Sequence, residues 1–149
     1  MRQLFGAPVI LTTTTSLGHH AVIPIVVEEG NAIILDQQVH ASIQEAALRM
    51  ELKGIPVTKI RHSNLEELEA KITELIVKYD KVWYMIDGIY SMYGDYPPLK
   101  EIVALMDKYK QFHLYVDDAH GMSIEGLQWR GVVLSEIWLH KKMILATSL

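Results

Sequence analysis

Three acidic positions each follow a short β-rich run of the sequence: Asp36, Asp87 and the pair Asp117 and Asp118. Carboxylates at the ends of parallel strands could bind Mg²⁺, neutralise a cationic ring nitrogen, or cap the turn that follows. In an open parallel sheet, ligands bind beyond the carboxyl ends of the strands, so these positions are the first candidates for a site. For any one acid alone, turn capping is the simplest interpretation.

The elements that would position these acids follow a regular order. Short β-rich runs alternate with runs of helical period along the whole chain, which is typical of βαβ units around a mainly parallel sheet and predicts one α/β domain. The predicted strands cover residues 9–14, 32–35, 57–60, 82–86, 113–116 and 143–147.

Three amphipathic crossover helices are predicted between the strands. Polar caps followed three residues later by glutamate indicate that two of them begin at Ser42 and Asn64, and the third is expected near Pro98. A helix over residues 16–27 would be kinked or ended by Pro24. Their apolar faces comprise Ile43, Ala46, Ala47 and Met50, then Leu65, Leu68, Ile72, Leu75 and Ile76, and finally Ile102, Val103 and Met106.

Composition narrows the possible functions. The net charge of -4 and the lack of a long basic run argue against nucleic-acid and anionic-membrane partners. The absence of cysteine excludes a disulfide framework and thiolate metal ligands, and fits a cytoplasmic protein. No apolar run approaches the roughly 20 residues that a membrane-spanning helix needs. The apolar start of the chain reads into a threonine tract without a cleavage site, so it is not interpreted as a secretory signal.

Four motifs occur in one order along the chain. The run LYVDDAHG over residues 114–121 resembles the V-D-D-A-H-G signature of α-oxoamine synthases nearly letter for letter. Upstream, DQQVHAS at 36–42 is similar to the D-x-x-x-H-A-S segment of that group, and DGIYSMYGD at 87–95 to its E-G-(V/I)-(F/Y)-S-M-D-G-D. Downstream, ILATSL at 144–149 is similar to the strand before its (S/T)-x-x-K lysine motif. The chain therefore resembles the α-oxoamine synthase group, which includes 8-amino-7-oxononanoate synthase and 2-amino-3-ketobutyrate CoA ligase.

The resemblance implies a fold-type-I pyridoxal-phosphate transferase with a three-layer α-β-α large domain. Pyridoxal phosphate acts as an electron sink that is strongest when its ring nitrogen is protonated. A carboxylate near that nitrogen favours the charged form, so Asp117 is the expected partner. By the resemblance, His120 contacts the ring 3-hydroxyl oxygen and Ser91 lies near it. His40 stacks on the ring and orients substrate, so His40 and His120 are the predicted catalytic residues.

The expected phosphate site departs from the family pattern. A phosphate is predicted where the first strand turns into a helix, held by backbone N–H groups and the helix dipole. The S-G-(F/Y)-x-A-N segment of the family aligns with residues 14–19, so Thr15 and Ser16 replace its glycine and aromatic residue. Their hydroxyls could donate to phosphate. Asp87 stands where biosynthetic members carry glutamate, which keeps the carboxylate and leaves the product class open.

The lysine that would attach the cofactor covalently is not found in the sequence. The family motif places it two residues beyond Leu149, with Ser148 as a phosphate contact. Lys141 and Lys142 precede the last predicted strand and would lie at its opposite end. The resemblance thus implies that residues 1–149 are part of a large domain, without its N-terminal segment, lysine region and C-terminal small domain.

The favoured function is an acyltransferase that condenses an amino acid with an acyl-CoA, releasing carbon dioxide and CoA. Covalent cofactor attachment and turnover are not expected of these 149 residues alone. A homodimer is expected for the full-length form. Three alternatives remain: an aminotransferase or lyase of the same fold, a non-catalytic remnant or interaction module, and a magnesium-dependent phosphoryl-transfer site.

Overall fold

A five-stranded parallel sheet forms the centre of the protein. In the computed structural model, which describes residues 5–122, 124–126 and 129–148, the strands lie in the order β2-β1-β3-β4-β5. They are β1 (Asn31–Asp36), β2 (Val57–Ile60), β3 (Lys81–Asp87), β4 (Phe112–Asp117) and β5 (Met143–Ala146). The helices are α1 (Thr15–Val26), α2 (Ala41–Glu51), α3 (Leu65–Leu75), α4 (Leu99–Lys108) and α5 (Val132–Glu136). The predicted α/β fold with a mainly parallel sheet is confirmed.

The sheet separates two apolar cores and so makes the middle of three layers. On one face, α1 and α2 cover alternate sheet residues such as Ile33, Met85 and Tyr115. On the other face, α3, α4 and α5 cover residues such as Tyr84 and Leu114. Both faces of β1 and β3 are therefore buried, which explains why these strands read as continuous apolar runs.

Two helix starts follow the sequence signals. α3 begins after Asn64, whose side-chain oxygen accepts the Glu67 N–H at 2.8 Å. α4 begins after Pro98, and its buried Leu99, Ile102 and Met106 lie on the core-facing side. The predicted inward faces of α2 and α3 are also buried or partly buried in the two cores.

Three local predictions were wrong or only partly right. Residues 9–14 do not form a strand: no described strand pairs with them, and Ile10 and Leu11 are exposed. Their β-branched composition favours a strand, but no described strand lies beside them to form its hydrogen bonds. The cap of α2 is His40 rather than Ser42, because the His40 ring accepts the Ser42 N–H. Pro24 lies inside α1, which continues to Val26 and then ends.

No helix in the described part of the chain has the length and hydropathy required to cross a membrane.

Candidate active site

Parallel strand direction brings the acidic strand ends to one edge of the sheet. Asp36, Asp87 and Asp117 are the last residues of β1, β3 and β4, and Asp87 lies directly opposite Asp117 in the register of the two strands. All three are less than one tenth exposed. Three carboxylates therefore lie close to each other at a buried edge of the sheet. Each of them is held by a different set of hydrogen bonds.

Asp117 is oriented by contacts to both of its oxygens. Oδ2 lies 2.8 Å from Nε2 of His19, a fully buried residue of α1, and Oδ1 accepts the Ala119 N–H at 3.0 Å. Nδ1 of the same imidazole lies 2.8 Å from the hydroxyl of Tyr115. Burial, followed by the charge of Asp117, raises the pKa of the Tyr115 phenol, so that it stays protonated. A carboxylate has about four lone-pair positions, so Asp117 can still accept from a ligand.

Asp87 connects β3 to the start of α2. Its Oδ1 accepts the backbone N–H of His40 at 3.2 Å. Burial raises the pKa of Asp87 to about 7; the His40 N–H opposes that rise, while the charges of Asp117 and Asp36 add to it. Asp87 therefore joins the end of β3 to His40, whose side chain is exposed at the start of α2.

Asp118 is a structural acid enclosed by three glycines. Its Oδ2 accepts the Val133 N–H at 2.9 Å, and its Oδ1 has no hydrogen-bond partner within the described structure. A Cβ at Gly88, Gly121 or Gly131 would collide with the Asp118 carboxylate. Burial raises the pKa of Asp118 to about 6, and the nearby Asp117 charge contributes to the rise. Glycine is therefore required around this acid for packing reasons.

Asp36 is committed to a buried network. Its oxygens accept from the backbone N–H groups of Gln38 and Ser63, and Oδ2 also accepts the Tyr84 hydroxyl. His62 bridges Asp36 and Asp95 at 2.8 and 2.7 Å. Burial alone would lower the pKa of His62, but the hydrogen bonds and charges of the two aspartates outweigh it and raise that pKa. This network ties the loop after β3 to the loops after β1 and β2.

The N-terminus of α1 lies at the same edge. Because α1 leads into a strand of a parallel sheet, it runs antiparallel to the strands, and its first residue precedes His19 by about one turn, roughly 6 Å along the axis. Thr14 caps the helix by accepting the Leu17 N–H at 3.1 Å. Thr15 is partly exposed and Ser16 is exposed. Free N–H groups at a helix start suit an anion.

Comparison with known proteins decides the family. The sequence profile described as Aminotransferase class I and II matches residues 5–145. The chain belongs to the aminotransferase class I and II family. Curated relatives in this family include 8-amino-7-oxononanoate synthases of Coprothermobacter proteolyticus and Alkaliphilus metalliredigens. They are 39% and 40% identical over 111 residues, which is 74% of this chain and 27% of each relative.

Solved structures of family members give the same result. A serine palmitoyltransferase from S. paucimobilis, solved with a bound PLP–myriocin aldimine, has a TM-score of 0.85 and 28% identity, and the match covers 99% of this chain and 37% of that one. The enzyme from Sphingomonas wittichii has a TM-score of 0.77 and 31% identity, over 88% of this chain and 32% of that one. The predicted resemblance to α-oxoamine synthases is confirmed, and the chain spans about a third of these proteins.

The remaining predicted site residues of this family member lie at or near the same edge. His120 follows β4 in an exposed turn, and Ser91 is exposed in the loop after β3. Ser148 is exposed beyond β5, with its hydroxyl 3.5 Å from the Ala119 carbonyl oxygen. Leu149, which ends the fourth motif, is outside the described residues. The edge therefore brings together His40, Asp87 and Asp117. Within the described part of the chain, no hydrogen bond or ion pair joins these three to Ser91 or Ser148.

Sequence reasoning missed two participants in this edge. His19 was not among the predicted site residues, yet it shares the buried face of α1 with Gly18 and Ile23. A polar residue on an otherwise apolar helix face was the available signal, because such a side chain requires a buried partner. His62 carried no comparable signal, since both of its aspartate partners are far away in the sequence.

The alternative magnesium interpretation receives no support from the described residues, where no group of three or more His, Asp or Glu side chains is arranged to hold a metal ion.

Proposed function

We propose that this chain forms the ring-binding part of a pyridoxal-phosphate acyltransferase that condenses an amino acid with an acyl-CoA. One geometric observation carries the proposal: Asp117 ends β4 with both carboxylate oxygens held, directly beside Asp87 and the His40 that Asp87 binds. The curated relatives named 8-amino-7-oxononanoate synthase support this class of reaction. A homodimer and a cytoplasmic location belong to the same proposal.

The polar groups at this edge of the sheet fit pyridoxal phosphate. Asp117 supplies an anion for the ring nitrogen, and the start of α1 supplies N–H groups and the Thr15 and Ser16 hydroxyls for the phosphate. His40, Ser91, His120 and Ser148 complete the proposed contacts. When bound, pyridoxal phosphate supplies an electron sink for bonds at the amino-acid α-carbon.

Each of the chain's own groups has a defined task in this arrangement. Asp117 would hold the ring nitrogen by accepting its hydrogen bond and would favour its protonated form. The exposed His40 ring lies at the N-terminus of α2, where its Nδ1 is 2.7 Å from the Ser42 hydroxyl, so its orientation is fixed by the helix start. Asp87 accepts the His40 backbone N–H and so holds the start of α2, and with it His40, against the end of β3.

Cofactor binding is tested by titrating the purified chain with pyridoxal phosphate and following its absorbance. Asp117→Ala should weaken binding by about tenfold or more, because the ring nitrogen loses its ionic partner. Asp107→Ala, which removes a carboxylate 69% exposed on α4, is the matched control and should bind like the wild type. Equal affinity of the Asp117→Ala variant would contradict the proposed ring contact.

The class of reaction needs a separate experiment. The 111 residues of this chain that match the Coprothermobacter proteolyticus synthase would replace the corresponding segment of that enzyme. CoA release would then be measured with an amino acid and an acyl-CoA. CoA release that disappears on Asp117→Ala supports the synthase. Transfer of the amino group to a 2-oxo acid without CoA release would favour the aminotransferase alternative.

A further inference from the structure

A fully buried histidine lies behind the candidate ring contact. His19 belongs to α1 and has no exposed surface, although imidazole is usually at least partly accessible. Its two ring nitrogens are both engaged, Nε2 with Asp117 Oδ2 and Nδ1 with the Tyr115 hydroxyl, each at 2.8 Å. His19 thereby joins a residue of β4 that is completely inside the core to the residue that ends the same strand.

The partners of the ring determine where its proton lies. Tyr115 is 1% exposed, and the only hydrogen bond found for its hydroxyl within the described structure is the one to His19. A buried O–H needs an acceptor, which Nδ1 can provide only if that nitrogen carries no proton. The proton of a neutral imidazole is then on Nε2, so His19 donates to Asp117.

We propose that His19 is a positioning residue for the cofactor ring: its Nε2–H holds Asp117 Oδ2 so that the carboxylate faces the ring nitrogen. The inference rests on the proposed function, because it concerns how that carboxylate meets pyridoxal phosphate. The Ala119 N–H fixes Oδ1 from the following turn, and His19 fixes Oδ2 from the helix layer. With both oxygens held, the carboxylate plane is set by the fold before any ligand arrives.

The neighbouring His20 shows that this role is specific to one position. His20 is partly exposed, and its Nε2 lies 3.6 Å from the exposed carboxylate of Glu45 on α2. It is one residue along the same helix and points away from Asp117. His20→Leu therefore removes an imidazole from α1 and leaves the contact between His19 and Asp117 in place.

The first test is made on the unliganded wild-type chain and needs a variant only to assign the His19 signals. Two-bond ¹H–¹⁵N correlation spectra of protein with ¹⁵N-labelled histidine, assigned with the His19→Gln variant, report which ring nitrogen of His19 is protonated at neutral pH. A proton on Nε2 is expected. An unprotonated Nε2 would overturn the inference, because a nitrogen lone pair cannot donate a hydrogen bond to a carboxylate.

The second test uses ring-¹⁵N-labelled pyridoxamine phosphate, which needs no lysine for binding. The ¹⁵N chemical shift of the bound ring is followed across pH in the wild type, His19→Leu, His19→Gln and His20→Leu. The bound ring nitrogen in His19→Leu should lose its proton about one pH unit lower than in the wild type, a tenfold weaker preference for the protonated form. Glutamine carries an amide N–H at the position of Nε2 and should restore most of the shift.

The outcomes separate this inference from the function on which it rests. If the wild type binds the ligand with a protonated ring and His19→Leu behaves identically, the positioning role is refuted and the proposed function stands. If the wild type fails to bind the ligand, or binds it with an unprotonated ring, the proposed function fails and the inference with it. A His20→Leu variant that reproduces the His19→Leu shift would also refute the positioning role. Circular dichroism verifies that each variant is folded.

Discussion

Replacing Asp87 with asparagine should make the protein more stable at neutral and alkaline pH. Asp87 is 4% exposed, and burial is the main cause that raises its pKa from the ordinary 3.8 to about 7. The amide oxygen of asparagine can still accept the His40 N–H. The substitution therefore removes a buried charge and keeps the observed hydrogen bond.

The sign and size follow from the two pKa values. Because the folded-state pKa lies above the unfolded one, the folded protein binds the extra proton, and the free energy of unfolding falls as pH rises from about 4 to about 7. A difference of about three pKa units corresponds to at most about 4 kcal/mol. The additional amide N–H of asparagine, if unpaired, costs about 1–2 kcal/mol. We therefore expect Asp87→Asn to raise the free energy of unfolding by about 2–3 kcal/mol above about pH 7 and to lower it by about 1–2 kcal/mol below about pH 4, where only the cost of the amide N–H remains.

Urea unfolding of the wild type and of Asp87→Asn, followed by circular dichroism at several pH values, measures this difference. Glu66→Gln, which removes an exposed carboxylate from α3, controls for the change in net charge and should stay within about 0.5 kcal/mol of the wild type. A stability difference between Asp87→Asn and the wild type that does not change with pH would refute the reasoning, as would a loss of stability at alkaline pH.

Three further predictions concern packing, capping and lysine chemistry. Gly121→Ala should lower the free energy of unfolding by about 1–3 kcal/mol, because its Cβ would meet both the Asp118 carboxylate and, at 2.9 Å, the Val132 nitrogen. Gly18→Ala, whose Cβ meets only the Thr12 side chain, is the contrast and should be tolerated in a urea titration. Asn64→Ala should cost about 1 kcal/mol in the same measurement, since the Glu67 N–H loses its cap; a Thr73→Ala variant inside the same helix should cost less. Treating the 149-residue chain with pyridoxal phosphate and borohydride should give scattered trace labelling, because each of its ten lysines precedes β5. A single stoichiometrically labelled lysine in the peptide map would contradict the last expectation.

The sequence was most informative where periodicity and local chemistry decide the structure. Strands β1, β3 and β4 were predicted from largely apolar runs that are buried along almost their whole length, and Asn64 acts through a contact only three residues away. Residues 9–14 show the limit of this reasoning. Their composition is that of a strand, but a strand also needs a neighbour to bond with, and composition does not report whether one is adjacent.

The aspartates of the candidate site could be predicted from the sequence, whereas the side chains that hold them in place could not. Asp36, Asp87 and Asp117 could be found because each ends a recognisable strand. The His19 contact to Asp117 spans 98 residues of sequence, and the His62 contact to Asp95 spans 33. Side-chain pairs at such separations are created by the packing of layers, which local patterns do not encode. The capping role of His40 was missed for a different reason, since histidine is an uncommon cap.

The position of β5 has a consequence for how the site could open. β5 is a four-residue strand at the border of the sheet, partly exposed throughout and bonded to β4 alone among the described strands. Its Ala146 carbonyl accepts the Asp118 N–H at 2.8 Å. Border strands with few buried contacts are the first to detach in sub-global opening, so amide hydrogens of β5 should exchange before those of β1 and β3. Such opening of β5 would release the backbone next to Asp117 while the centre of the sheet stays intact. Ligand affinity should therefore increase or decrease together with the free energy of closing β5 onto β4.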